Sequence, residues 1–203
     1  AELSRDSVHN ARVRSRLLVA AAGLTGLLAA ASAVSAPEER IRIPQVATSF
    51  SGRDVRVEAR LSRALPEEVV RRLGSGLPTT AAWEALLQVS RRKWFDGAVD
   101  ERRYEVTATY RPLSGDFTVE RRLDGRLLET TVVPTREEAL RALATLPGLP
   151  FFSMRPELSD RPLVVRLRCV YGSRLALGVF PTRVGTSWRS SPRFRWKEPG
   201  GPR

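Results

Sequence analysis

Strict alternation of apolar and polar residues constrains this chain more than any other feature. Val55, Val57, Ala59 and Leu61 alternate with Arg56, Glu58 and Arg60. Tyr104, Val106, Ala108 and Tyr110 alternate with Glu105, Thr107 and Thr109, and Val165, Leu167, Cys169 and Tyr171 with Arg166, Arg168 and Val170. A period of two with one polar face is the signature of half-buried antiparallel strands. Phe117 and Val119 begin a further strand, and Asp124-Gly125 is a two-residue hairpin turn leading into Leu128, Thr130 and Val132. Ile41 and Ile43 read as a first strand whose Pro44 marks an edge, and Gly172-Ser173 as a turn into Leu175, Leu177 and Val179. Residues 80–90 fit a strand and leave a helix open. Two helices interrupt the pattern: Pro66 to Leu73, stopped by Gly74, and Thr135 to Leu146, opened by a Thr135/Glu138 capping box and ended by Pro147. The expectation is a mainly β, antiparallel, sandwich-like domain with two short packed helices.

A second feature precedes that domain. Leu17 to Ala36 is twenty residues without a charge, flanked by Arg12, Arg14 and Arg16 before and Pro37-Glu38-Glu39 after. About twenty apolar residues at ~1.5 Å each cross a ~30 Å hydrocarbon layer. The same stretch suits the apolar region of a secretory signal. A cut after Ala36 would leave Pro37 first, which signal peptidases handle poorly, whereas a cut after Ala33 remains open. The retained reading gives a basic head at 1–16 in the cytoplasm, a transmembrane helix at 17–36, a periplasmic β-rich domain at 37–185 and a basic aromatic tail at 186–203. The orientation follows from the arginines before the span and places the protein in a bacterial inner membrane, its bulk periplasmic. Ala22, Gly26 and Ala30 recur every four residues and make a flat face for helix-helix packing with other membrane subunits.

Side-chain inventory removes much chemistry. One His (His9) and one Cys (Cys169) leave no internal disulfide, and little from which to build a zinc site or a nucleophilic triad. Asp96, Asp100 and Glu101 form a carboxylate cluster, but Asp and Gly are what a turn between strands requires. Cys169 reads as a buried core thiol. No catalytic residue, cofactor or metal site is assigned, and a non-enzymatic protein is expected.

Charge points to a partner instead. The net charge is +12, and residues 161–203 hold ten basic residues against Glu198 alone, +9 of that total. The tail interleaves Trp188, Phe194 and Trp196 with Arg189, Arg193, Arg195 and Lys197. That pattern suits an acidic protein surface or anionic lipid head groups. It would also suit single-stranded nucleic acid, against which the export topology argues. Phe151 and Phe152 follow a stiff Pro147-Gly148-Leu149-Pro150 loop; either one of the pair is exposed and meets lipid or a partner, or both fold over the core after the helix.

These pieces resemble a family. Leu73-Gly74-Ser75-Gly76-Leu77-Pro78, Trp94 with Asp96, Tyr110 and the closing Trp188-Arg189-Ser190-Ser191…Trp196, in that order after an apolar segment, look like an uncharacterised family of exported bacterial proteins catalogued as a domain of unknown function. The resemblance covers about residues 40–197. It implies secreted or membrane-tethered proteins and supplies no activity or functional residues. The leading expectation is a membrane-anchored periplasmic accessory or scaffold subunit of a larger inner-membrane assembly, with a respiratory or photosynthetic complex as candidate host. The alternative is a free exported protein, its signal cleaved, that binds an acidic ligand or envelope polymer.

Overall fold

Alternating sequences bury one face only when a second layer covers it, and two antiparallel sheets do so here. The computed structural model describes residues 41–90, 97–176 and 180–198. β1 (Val46–Ser51), β2 (Asp54–Arg60) and β7 (Thr145–Ser153) form a three-stranded sheet in the order β1-β2-β7. The larger sheet contains β3 (Thr79–Val89), β4 (Gly97–Arg111), β5 (Asp116–Leu123), β6 (Arg126–Val133), β8 (Leu163–Ala176) and β10 (Arg189–Ser190). Its order is β10-β8-β3-β4-β5-β6, and β9 (Phe180–Gly185) also pairs with β8. The domain is therefore mainly antiparallel β with two helices, α1 (Glu67–Gly74) and α2 (Arg136–Leu143).

One core joins the sheets. Val46, Val55, Val57 and Phe152 of the small sheet meet Trp83, Leu87, Tyr104 and Leu167 of the large one. Helix α1 adds Val69 and Leu73, and α2 adds Ala139 and Leu143. The capping box forms: the Thr135 side chain accepts from the Glu138 N–H at 3.2 Å. The β5–β6 turn has Asp124 at φ 49° and Gly125 at φ 81°, the left-handed pair that a two-residue hairpin needs.

Several expectations change. The first strand starts at Val46, not Ile41, because the Pro44 ring has no N–H to give a ladder, although Ile43 is buried. Helix α2 ends at Leu143, and Leu146 serves the core from β7. Residues 147–152 are strand, not loop. Pro147 and Pro150 are tolerated because β7 lies at a sheet edge, and the β2–β7 register shifts twice around them. Gly172-Ser173 is not a turn, since β8 runs through it to Ala176, with a register irregularity beside Gly172. Residues 79–89 are strand, and Asp100 and Glu101 lie within β4 rather than in a turn. The expected span at 17–36, with Ala22, Gly26 and Ala30, lies outside the described residues, as do His9, Trp94 and Asp96. Among the described residues no helix is long and apolar enough to cross a membrane.

Candidate functional site

The central strand of the large sheet carries one carboxylate among apolar neighbours. In β3, Ala81, Trp83, Ala85 and Leu87 face the core, so Glu84 faces the other side, yet it is only 4% exposed. Register explains what surrounds it. Arg103 of β4 and Arg168 of β8 lie directly opposite Glu84 on either side. Arg168 Nε donates to Glu84 Oε2 at 2.6 Å, and Arg103 NH1 donates to Oε1 at 3.1 Å. Arg183 of β9 reaches across to Oε1 at 2.9 Å, so three guanidinium groups converge on one carboxylate. Arg103 also donates to Glu105 at 2.8 Å.

Trp188 completes the array. The Arg168 guanidinium carbon lies 4.6 Å and that of Arg166 5.5 Å from its ring centroid, within cation–π range. The backbone before Trp188 is fixed by Thr186, whose N–H donates to Cys169 O at 2.8 Å and whose Oγ1 accepts from Cys169 N–H at 3.0 Å. Gly185 permits this approach, because a Cβ there would lie 2.3 Å from Cys169 O. The result is a flat basic platform. Arg103, Arg168 and Arg183 are held by Glu84, Arg103 also by Glu105, while Arg166 lies over Trp188, and donors not spent on the two carboxylates remain to meet an anion.

Beyond Trp188 the chain straps the two sheets together. Ser191 Oγ accepts from Val165 N–H at 3.1 Å, and Phe194 exchanges two backbone bonds with Leu163. Phe194 meets Phe50 edge-on with centroids 5.3 Å apart. Trp196 is 3% exposed, and its Nε1 donates to Gly52 O at 3.1 Å in the β1–β2 turn. Arg53 pairs with Glu198 at 2.7 Å.

The residues expected to dock a partner thus divide. Arg189, Arg193, Arg195 and Lys197 are exposed, with Arg195 donating to Asp160 O at 2.9 Å. Trp188 is half-buried in the platform, while Phe194 and Trp196 pack against the protein itself. Phe151 and Phe152 are each 2% exposed: successive side chains of β7 both find core, so neither is presented to a partner. Of the carboxylates, Asp100 accepts from Arg102 at 3.3 Å. Cys169 is buried, and burial pushes its thiol well above the usual thiol range. Sequence reasoning missed Glu84 as the hub. The signal was there, a single carboxylate in the run Thr79–Val89, but only the pairing register shows which arginines meet it.

A recess of about 330 Å³ lies among β5, β6, α2 and β7, lined by Arg121, Val133, Glu138, Arg141, Ala142, Thr145 and Pro147. Arg121 is tied there to Thr131 at 2.9 Å and Glu129 at 3.2 Å. No group of three His, Cys, Asp or Glu side chains that could hold a metal ion occurs among the described residues.

Fold and platform together define a class: a small antiparallel β domain, strapped by its own C-terminal segment and presenting a basic, tryptophan-backed face. Residues 38–196 match the family described as "Domain of unknown function (DUF4390)", and the chain belongs to it. No curated protein and no solved structure matches the chain.

Proposed function

We propose that the chain is a non-enzymatic, membrane-anchored periplasmic accessory or scaffold subunit. It docks an acidic surface of a neighbouring inner-membrane protein through the platform and the strap beside it. The observation that supports this reading is the arrangement of positive charge. Arg166, Arg168 and Arg183 surround Trp188 and Glu84, and the exposed Arg189, Arg193, Arg195 and Lys197 follow along one continuous segment. The apolar 17–36 segment supplies the anchor, and Ala22, Gly26 and Ala30 the helix face towards other subunits. The free-ligand alternative draws on a different observation, the recess holding Arg121 and Arg141, which would suit an acidic small molecule.

The test is a fourfold Arg189/Arg193/Arg195/Lys197→Gln variant of the full chain, extracted in mild detergent and run on native gels across a salt series. Peripheral ion pairs at about 0.5 kcal/mol each give about 2 kcal/mol, or roughly 30-fold in affinity. The expected outcome is an unchanged melting temperature and loss of the larger assembly at lower salt than wild type. Migration of the wild type as a 22.6 kDa monomer, or equal retention of both proteins at every salt concentration, overturns the proposal.

A further inference from the structure

We propose that β6 is a self-pairing edge, through which two copies of the chain join antiparallel across a two-fold axis at Thr130 and continue the large sheet. This goes beyond the docking role above and does not rest on it. Among the described residues β6 ends the sheet and pairs with β5 alone, so its other side presents unpaired main-chain donors and acceptors. Exposed edges are normally guarded by Lys, Pro or inward charge. Arg126–Val133 contains neither Lys nor Pro; its charges are Arg126 at the strand start and the inner-face Glu129, which accepts from Arg121 at 3.2 Å, and its bulge at Leu128 leaves 129–133 regular.

The faces of β6 are unusual. Phe117 and Val119 are core residues, so their partners Val133 and Thr131 lie on the inner face. Val132, Thr130 and Leu127, opposite Thr118, Glu120 and Arg122, lie on the outer face. Strict alternation would separate Leu127 from Val132. Leu128, the extra residue where the register shifts between Arg121 and Arg122, puts both on one face, where they are 51% and 54% exposed.

That pattern is self-complementary in one register. With Thr130 opposite its symmetry mate, Val132 meets Leu127 twice on the outer face, and Glu129 meets Thr131 twice on the inner face. An axis at Glu129 would set two carboxylates opposite each other, which is unfavourable. An axis at Thr131 would leave Leu127 and Leu128 without partners. An axis between Glu129 and Thr130 would oppose inner to outer residues. A second copy therefore satisfies the free main-chain groups and covers both exposed side chains with each other.

Cysteine cross-linking of the full chain reads this register. Residues directly opposite in an antiparallel pair have Cα atoms about 4.5–5.5 Å apart, within disulfide reach. Under mild oxidation Thr130→Cys is expected to give a band at twice 22.6 kDa, since the native Cys169 is buried. Leu127→Cys and Val132→Cys should each cross-link at least tenfold less alone, and should form a mixed dimer when co-expressed. Leu113→Cys, in a fully exposed turn, reports random collision. In the Thr130→Cys background, Leu127→Lys with Val132→Lys should abolish the dimer, and Leu127→Lys with Val132→Glu should keep it. No dimer from Thr130→Cys, a dimer no stronger than that of Leu113→Cys, capture of a different protein only, or equal effects of the two charge pairs would each overturn the proposal.

Discussion

Glu84 shows how one side chain can organise a surface. A carboxylate that is 4% exposed is tolerable only if its oxygens are satisfied, and Arg103, Arg168 and Arg183 do so. The three arginines do not depend on it equally. Arg183 keeps 63% of its side chain in solvent, whereas Arg168 keeps 32%. Glu84→Ala removes the common acceptor and leaves partly desolvated cations crowding one another, so it should cost about 2–3 kcal/mol. Arg183→Ala should cost under about 1 kcal/mol, as for an exposed ion pair. Urea midpoints of the two variants, followed by tryptophan fluorescence, measure the difference. Equal costs would show that Glu84 is not the hub.

At the scale of elements, hairpin chemistry sets what pH can do. The β4–β5 turn is closed by Arg111, which donates to both Asp116 oxygens at 2.6 Å, while Ser114 Oγ donates to Oδ1 at 2.7 Å. The Arg111 bonds, then the Ser114 hydroxyl, hold the Asp116 carboxyl below its usual range. A depressed folded value means that the turn's contribution is present above the unfolded value near ~3.9 and is lost as pH falls through the folded value. Arg111→Gln should therefore raise the Asp116 titration midpoint towards ~3.9 in an NMR titration, and an unmoved midpoint would assign the shift elsewhere. Elements of this kind were legible in the sequence wherever the signal was local. Asp124-Gly125 fixes a turn by backbone conformation, Thr135 with Glu138 caps a helix, and alternation at 55–61, 104–110 and 165–171 identifies strands. Legibility failed where tertiary pairing overrode a local rule. Pro147 and Pro150 read as loop but sit in an edge strand, and Gly172 reads as a turn but continues β8. The platform is half-visible: alternation places Arg166 and Arg168 on the polar face, but the convergence of Arg168 with Arg103 and Arg183 on Glu84 depends on strands distant in sequence.

For the whole molecule, the C-terminal strap adds a second tie between two sheets that already share one core. β10 joins the large sheet at Leu167 and Arg166, Phe194 pairs with Leu163, and Trp196 then reaches the β1–β2 turn of the small sheet through Gly52. The spacing from Trp188 through Ser191 to Trp196 thus has a mechanical reading: a platform residue, a hydroxyl stitched to Val165, and a plug that closes the far end. Trp196→Ala empties a buried site and frees the Gly52 carbonyl, at about 3–5 kcal/mol. A domain of this size is stable by only about 5–15 kcal/mol, so the loss is a large fraction of the total. At roughly 2–4 °C per kcal/mol, the melting temperature should fall by about 6–20 °C. Because Phe151, Phe152 and Tyr104 belong to one core shared by both sheets, the variant should still unfold in a single step, with far-ultraviolet circular dichroism and tryptophan fluorescence coincident. If the two signals instead separate, with one sheet melting before the other, the strap rather than the shared core is what couples them. A melting temperature within a degree or two of wild type would show that the plug carries no structural weight.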